Sequence, residues 1–208
     1  MVVSKELIRQ RIQESIEAKQ ALLKDEKLLY AISALANEIV ESLSNGGKLL
    51  VCGNGGSAAD ALHIAGEILG RFVMERPGYA AIALNADVAT LTAVGNDYGY
   101  DHIFSRQVEG LMNPNDVLLG ISTSGNSENI VRAFEKAKEK GGKTALLTGK
   151  TGGKLKDLAD YAIIVPANVT ARIQECHTCI YHILCELVEK GVYEADGNKD
   201  KTPDRITH

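Results

Sequence analysis

The sequence places a histidine and a carboxylate one helical turn apart, directly after a glycine-rich turn. His63 and Glu67 are four residues apart, so on a helix they project from the same face. An imidazole and a carboxylate at this spacing can share a metal ion or move protons to and from a substrate. A surface ion pair is the alternative interpretation of the same two residues.

The turn that precedes this pair has the sequence Gly53-Asn54-Gly55-Gly56-Ser57 and follows an apolar strand over 49–52. Glycines let backbone N–H groups approach a ligand closely, and a helix start adds N–H donors and partial positive charge. These properties favour an anion, above all a phosphate. The pattern is neither GxGxxG nor a Walker loop, which argues against a dinucleotide or a nucleoside triphosphate. Ser57 and Asp60 are spaced as a capping box for the helix.

A second polar turn, Ser122-Thr123-Ser124-Gly125-Asn126-Ser127, follows another apolar strand over 116–121. Its hydroxyls and the N–H groups of the next helix can hold several oxygens of one phosphate or sugar, and Ser127 is predicted to cap that helix. The alternative is a serine-rich turn that only caps. Ligands of open α/β sheets bind at the carboxyl ends of strands, so two such turns predict a phosphate or sugar-phosphate site.

The last predicted helix, over 170–190, carries three further polar residues. His182 falls about 160° and Gln174 about 120° from the centre of its apolar stripe, so His182 is expected to point away from its own core. It would then be solvated or lie at an interface. His177 lies near the stripe and is predicted to be a hydrogen-bonded core histidine. The stripe consists of Ile173, Cys176, Ile180, Ile183, Leu184, Leu187 and Val188.

Gln174 and His182 are separated by about 12 Å of helix rise. A metal ion shared by both therefore requires either a bent helix or two chains. The Cys176–Cys179 pair is a CxxC in mid-helix without a second pair of ligands, so we interpret it as small core side chains rather than a zinc or redox motif.

Alternating strand and helix patterns predict how these groups are positioned. Five strands alternating with helices indicate a mostly parallel sheet with helices on both faces. Two N-terminal helices precede this core, and their apolar stripes pack either on the sheet or on another chain. Strands are predicted over 49–52, 80–84, 116–121, 143–148 and 161–165, helices over 5–23, 26–44, 87–95, 103–111, 128–140 and 170–190, and a loop over 96–100.

The composition narrows the class of protein. The 208 residues fit one domain, predicted over 1–193, with a polar and flexible tail over 194–208. A net charge of −4 shows no basic excess, which argues against nucleic-acid binding. No apolar run approaches the ~20 residues of a membrane span, and the N-terminus lacks an apolar signal region. Cysteines placed in a strand and a helix predict a reduced, cytoplasmic protein.

Taken together, these motifs resemble those of the phosphoheptose isomerases (sedoheptulose 7-phosphate isomerases) of the sugar isomerase (SIS) superfamily. The resemblance covers about residues 5–190. It is carried by GNGGSAADALH at 53–63 with Glu67 and Gly70-Arg71-Phe72, AIAL at 81–84, LTAVGNDYGY at 91–100, FSRQVE at 104–109, DVLLGISTSGNS at 116–127, LTGKTGGKL at 147–155, and ARIQE at 171–175 with His182.

The resemblance implies a three-layer αβα, flavodoxin-like SIS domain in a cytoplasmic homotetramer, with active sites between subunits. It also implies one zinc ion per subunit, held by His63, Glu67, Gln174 and His182. The activity implied is conversion of sedoheptulose 7-phosphate to D-glycero-D-manno-heptose 7-phosphate, the first step towards the ADP-heptose of the lipopolysaccharide core. The residues implied to contact the sugar phosphate are Asn54, Gly55, Gly56, Glu67, Asn96, Asp97, Ser122, Thr123, Ser124, Ser127 and Gln174.

The residue types suit this reaction, in which a ketose becomes an aldose through a cis-enediol(ate). Glu67 is the candidate base for the C1 proton, and His182 is the candidate for moving protons at the oxygens, a role for which imidazole is suited. The sequence leaves open whether Glu67 is a metal ligand, the base or both. Some family members carry Asp where this chain has Ala171, so any substrate contact from that Asp is lost here.

Two alternatives share the same superfamily resemblance. One is a non-catalytic relative that binds a replication initiator, and the other is an SIS isomerase of a different sugar phosphate. In the replication relative the positions of Glu67 and His182 hold residues that cannot do acid/base chemistry. The presence of Glu67 and His182 in this chain favours the enzyme.

Overall fold

The computed structural model describes residues 4–198, which form helices α1 to α7 and strands β1 to β5. The helices are α1 (Lys5–Lys24), α2 (Glu26–Ser44), α3 (Gly56–Leu69), α4 (Val88–Tyr98), α5 (Ser105–Leu111), α6 (Glu128–Glu139) and α7 (Thr170–Tyr193). The strands are β1 (Leu49–Gly53), β2 (Ala81–Ala83), β3 (Val117–Ser122), β4 (Lys143–Thr148) and β5 (Tyr161–Ile164). Short 3₁₀ helices cover Tyr100–His102 and Lys154–Asp157, and a helical turn covers Glu194–Asn198.

The five strands form one parallel sheet in the order β2-β1-β3-β4-β5. This is the flavodoxin-like order, and it confirms the predicted fold class. β1 pairs with β2 on one side and β3 on the other, with Leu49 opposite both Ala81 and Val117. The order in which the chain adds strands reverses between β1 and β3, because β2 lies on one side of β1 and the later strands lie on the other. Ligands of such sheets bind at this point. Both predicted phosphate turns follow these two strands.

Alternate residues of the buried strands supply two hydrophobic cores. Leu49 and Val51 face a core formed with α1, α2, α3 and α7. Leu50 and Cys52 face the other core, formed with α4, α5 and α6. Strands buried on both faces read as continuous apolar runs, which is why the sequence pattern identified them. The result is the predicted three-layer arrangement.

The element boundaries differ from prediction at α4. The loop predicted over 96–100 begins later, because α4 continues to Tyr98 and ends at Gly99 with φ 91°. A left-handed φ suits glycine and stops the helix there. The predicted loop therefore consists of a helix end followed by the 3₁₀ turn Tyr100–His102.

The C-terminal end also differs from the prediction. α7 runs to Tyr193 rather than to 190, and Glu194–Asn198 adds a further helical turn. The predicted flexible tail thus begins with helical structure, and its remainder, 199–208, lies outside the described residues. The division into a domain over 1–193 and a tail stays a prediction.

The two N-terminal helices are buried to different extents. α2 buries Leu28, Ile32 and Leu35 in the core beside the sheet. α1 buries only Ala18 and Leu22, while its residues Ile8, Ile12 and Ile16 are exposed. Packing on the chain's own sheet therefore accounts for the apolar stripe of α2 but for only part of that of α1. Within residues 4–198, each helix is too short or too polar to cross a membrane.

Candidate active site and metal centre

The first glycine-rich turn starts α3 without a side-chain cap. The N-cap is Gly55, with φ 56°, and Ser57 lies buried inside the first helical turn. The predicted capping box of Ser57 and Asp60 is therefore wrong, because the helix begins before Ser57 at a position that needs a glycine conformation. One carboxyl oxygen of Asp60 is buried without a hydrogen-bond partner among residues 4–198. Burial raises the pKa of Asp60, opposed by the nearby His63.

Asn54, in the same turn, is held by two other side chains. Its amide exchanges two hydrogen bonds with the amide of Asn129, each 2.9 Å long. The Tyr100 hydroxyl also donates to Asn54 Oδ1 at 2.8 Å. A cleft between this turn and α4 is lined by Asn54, Asn85 and Tyr100. Because Asn129 lies in the first turn of α6, the amide pair joins the two candidate phosphate turns.

The second turn is closed by its own hydroxyl groups. Ser122 Oγ lies 3.0 Å from Ser127 Oγ and accepts a hydrogen bond from the Gly125 N–H at 3.2 Å. Ser127 is the N-cap residue of α6, as predicted by position, but its side chain caps no N–H of that helix. Its hydroxyl pairs with Ser122 instead. Thr123 and Ser124 are half-buried, with Ser124 Oγ accepting from the Asn126 N–H at 3.3 Å.

His63, Glu67 and His182 form one cluster. His63 Nε2 and Glu67 Oε1 lie 2.9 Å apart, as the i,i+4 spacing predicts. Each of the three side chains offers a ligand atom, and these atoms lie within 4.8 Å of one another. Two imidazoles and a carboxylate so arranged suit a divalent cation such as zinc, so the residues fit the predicted metal.

Aromatic side chains surround this cluster. The Tyr181 hydroxyl lies 3.0 Å from His63 Nδ1, so both ring nitrogens of His63 have a partner. Burial raises the pKa of Tyr181, which keeps the hydroxyl neutral. Phe72 stacks on His182 with ring centroids 5.7 Å apart and an interplanar angle of 11°. The rings of His63 and His182 meet edge to face at 5.0 Å.

The predicted orientation of His182 needs correction. Ile183 and Leu187, assigned to the apolar stripe of α7, are exposed, whereas Tyr181 and Cys185 are buried. The buried face is therefore rotated towards His182. Its ring is half-buried against Phe72 and His63 of the same chain instead of pointing away from the protein.

Gln174, Asn96 and Asp97 are the other predicted site residues. Gln174 lies against the glycine-rich turn 53–57, since a Cβ on Gly56 would come within 2.5 Å of Gln174 Nε2. Asn96 and Asp97 are exposed at the end of α4, where Asn96 Nδ2 donates to Asp97 Oδ1 at 2.8 Å. The cluster of ligand atoms joins three of the four predicted metal ligands, His63, Glu67 and His182.

The other histidine of α7 is a buried structural group, and the cysteines of its CxxC are free thiols. His177 is fully buried, and its Nε2 donates to the Thr148 carbonyl at 3.1 Å. Its Nδ1 has no hydrogen-bond partner among residues 4–198, so the predicted core histidine is satisfied at only one nitrogen. Burial lowers the pKa of His177 to about 4. Cys176 and Cys179 are free thiols, Cys176 buried and Cys179 half-buried.

The sequence interpretation missed several residues that hold the site. Tyr181 and Asn129 received no role, although both adjoin predicted site residues. Glu189 is a fully buried acid on α7, eight residues after Tyr181. Helix periodicity did not indicate this burial, because it places a glutamate at the surface.

Comparison with known proteins decides the family. Residues 12–149 match the model of the SIS domain. The phosphoheptose isomerase of Aneurinibacillus thermoaerophilus is 53% identical over 186 residues, which cover 89% of this chain and 94% of that protein. The chain belongs to the phosphoheptose isomerase family. The family predicted from the motifs is thereby confirmed, and the chain is an enzyme of the aldose–ketose isomerase class.

Other members of the family show the same extent of similarity. The phosphoheptose isomerase of Helicobacter pylori strain P12 is 49% identical, with 91% of this chain and 95% of that protein covered. A solved structure of a phosphoheptose isomerase from Francisella tularensis superposes with a TM-score of 0.87 at 44% identity. It covers 91% of this chain and all of the other. The phosphoheptose isomerase fold thus extends over the sheet and both helical layers.

Proposed function

We propose that this protein converts sedoheptulose 7-phosphate to D-glycero-D-manno-heptose 7-phosphate, in the cytoplasm, as the first step towards ADP-heptose for lipopolysaccharide. The observation that carries the proposal is the cluster of Glu67 and His63, on the helix that starts at the glycine-rich turn, with His182 of α7. The names of the similar proteins support the substrate class. The fold alone does not identify the substrate, because related folds serve many sugar phosphates.

In the proposed reaction Glu67 takes one proton from C1 of the open-chain ketose. The electron pair of that C–H bond forms the C1–C2 double bond, and the carbonyl electrons move to the C2 oxygen to give an enediolate. His182 carries a proton from the C1 hydroxyl to the C2 oxygen. Glu67 then returns its proton to C2, which leaves an aldehyde at C1.

The two polar turns would bind the remote end of the substrate. The N–H groups of the turn 53–57 and the hydroxyls of the turn 122–127 are suited to the phosphate and sugar oxygens. Tethering the phosphate away from C1 and C2 orients the reacting carbons and supplies binding energy for the chemical step. Asn54 is fixed for such a contact by Asn129 and Tyr100.

His63, Glu67 and His182 would hold one zinc ion per subunit, with Gln174 as the fourth ligand expected from the family. A bound cation would stabilise the negative charge that develops on the substrate oxygen. Tyr181 keeps Nδ1 of His63 engaged, which leaves Nε2 as the nitrogen that faces Glu67. A partner of this kind fixes the ring orientation of a metal-binding histidine.

We further infer that the protein is a homotetramer whose active sites lie between subunits. The support is the exposed apolar face of α1, where Ile12 is 57% and Ile8 is 52% accessible. Exposed apolar faces of this kind are typical of protein–protein contacts. A second copy would cover α1 and bring additional polar residues to the site, for which exposed Asn96 and Asp97 are candidates.

The test is to incubate the purified protein with sedoheptulose 7-phosphate and follow aldose phosphate by NMR. Fructose 6-phosphate and other ketose phosphates serve as comparison substrates, because an SIS isomerase of another sugar would prefer one of them. Conversion of the heptose alone supports the proposal. Conversion of none of these sugars, or preference for a shorter ketose, would contradict it.

A further inference from the structure

A fully buried ion pair links the two helices that carry the site. Arg76 and Glu189 both have side chains that are 0% exposed, with Arg76 Nε 2.9 Å from Glu189 Oε1. Glu189 lies on α7, two helical turns after His182. Its carboxylate also accepts hydrogen bonds from three consecutive backbone N–H groups, those of Phe72, Val73 and Met74, at 2.7 to 3.1 Å.

Arg76 connects the ion pair to the end of α3. Its guanidinium donates to the carbonyl oxygens of Glu67, Ile68, Gly70 and Pro77 at 2.9 to 3.0 Å. Carbonyls at a helix end lack partners within the helix, so a cation there satisfies them and interacts favourably with the helix dipole. One of these carbonyls belongs to Glu67 itself.

The pair thereby fixes the segment that carries Phe72. The N–H of Phe72 is bound to Glu189, and the Phe72 ring stacks on His182. A buried ion pair is weak evidence for stability, because desolvation offsets much of the attraction between the charges. A role in holding a defined geometry accounts better for two charges buried between the site helices.

We propose that Arg76 and Glu189 are positioning residues for the active site. They set the spacing between the end of α3 and α7, and through Phe72 they fix the ring of His182 against His63 and Glu67. This inference rests on the proposed function for its catalytic consequence, although the positioning itself is independent of the substrate. Both residues act through others and are not proposed to touch the sugar.

Glu189→Gln tests the proposal against a matched control, Asp116→Asn. Asp116 is also a buried acid (1% exposed), paired with Lys48 Nζ at 2.6 Å and bound by the backbone N–H groups of Lys48 and Asn113. It lies at the amino ends of β1 and β3, whereas the polar turns lie at the carboxyl ends of these strands. Both variants lose a charged acceptor of several N–H groups, but only one of the two acids contacts the site segment.

We expect Glu189→Gln to lower kcat by about 10- to 100-fold, since misplacement of reacting groups by about 1 Å costs this much. Asp116→Asn should change kcat by less than about twofold under conditions where both variants are folded. KM for the ketose should change less than kcat in Glu189→Gln, because the phosphate turns are untouched. Equal effects of the two variants on kcat would overturn the proposal.

Phe72 provides a second test that leaves the buried pair intact. Phe72→Leu removes the aromatic ring, and Phe72→Tyr keeps it. The ring current of Phe72 shields the ring protons of His182, so these resonances should move downfield in Phe72→Leu and stay in place in Phe72→Tyr. The lost resonances of His182→Gln assign them among the five histidines of the chain.

The NMR readout separates failure of the positioning from failure of the proposed function. If the wild-type protein converts no heptose phosphate, the proposed function fails, while the His182 resonances still report the geometry. Glu189→Gln should shift them and Asp116→Asn should not. If His182 resonances and kcat are both unchanged in Phe72→Leu, or in folded Glu189→Gln, the positioning role is wrong.

Discussion

The imidazole rings of His63 and His182 lie with centroids 5.0 Å apart and planes at 80° to each other. One ring is on the helix that leaves the first polar turn, and the other is on the last long helix. Glu67 lies 2.9 Å from His63 on the side of its Nε2. A carboxylate and two imidazoles from distant parts of the sequence therefore meet within one chain, which is the arrangement that the proposed proton transfer needs.

Glu67→Gln should abolish isomerisation while the protein stays folded. The carboxamide keeps the shape of the side chain but cannot accept the C1 proton, and loss of a general base typically costs ~10²- to 10⁴-fold in rate. Glu75→Gln is the control, because Glu75 forms an exposed ion pair with Arg71 on the same segment. Turnover is measured by NMR and folding by circular dichroism. Near-normal turnover in Glu67→Gln would remove Glu67 from the role of base.

His63→Ala should release the bound metal and lower activity. The change removes one of the two imidazoles among the proposed ligands, which weakens zinc binding. His102→Ala, a change in the 3₁₀ turn Tyr100–His102, should retain the metal. Elemental analysis of dialysed proteins measures the metal content, and a chelator should inactivate the wild type. Active wild-type protein without metal would contradict the assignment.

The fold was predictable because strands and helices alternate with clear apolar runs. Burial on both faces makes β1 and β3 continuous apolar segments, so the parallel sheet and its two polar turns could be read from the sequence. The i,i+4 pair of His63 and Glu67 was equally visible, because its contact depends on local helix geometry alone.

Other features depend on contacts that helix periodicity does not describe. The buried face of α7 is rotated towards His182 because Tyr181, Cys185 and Glu189 pack inward. The partners of the buried Glu189 carboxylate are Arg76 and three backbone N–H groups. A helical wheel treats a glutamate as polar and assigns it to the surface. The hydrogen bonds between Asn54 and Asn129 likewise join the first glycine-rich turn to the start of α6, 75 residues further along the chain, so sequence spacing could not reveal them.

Gly125→Ala should destabilise the protein much more than Gly46→Ala. Both glycines have positive φ, 67° and 77°, so both substitutions carry a conformational cost of ~1 kcal/mol. A Cβ on Gly125 would also lie 1.9 Å from the Gly152 carbonyl oxygen, whereas a Cβ on Gly46 has nothing within 4 Å. Urea unfolding should therefore show an additional loss of about 2 kcal/mol or more for Gly125→Ala. Equal losses would refute the close contact at this turn.

His177 should make stability fall as the pH is lowered. Its pKa in the folded protein is about 4 because of burial. The unfolded chain, with a pKa near 6.5, binds a proton first as the pH falls. The stabilisation is complete above pH ~6.5 and is lost between there and pH ~4, amounting to about 3 kcal/mol. The difference in unfolding free energy between wild type and His177→Leu should shrink over this range. Parallel pH profiles would contradict this prediction.

The most direct test of the proposed chemistry is to run the reaction in D₂O with sedoheptulose 7-phosphate and record NMR spectra over time. Proton transfer by Glu67 predicts an aldose phosphate that carries deuterium at C2, since the protonated carboxyl exchanges with solvent before it returns the proton. Both the aldose and the deuterium should be absent with Glu67→Gln. Failure of the wild-type protein to form any aldose phosphate, or equal deuterium incorporation by the two proteins, would contradict the account.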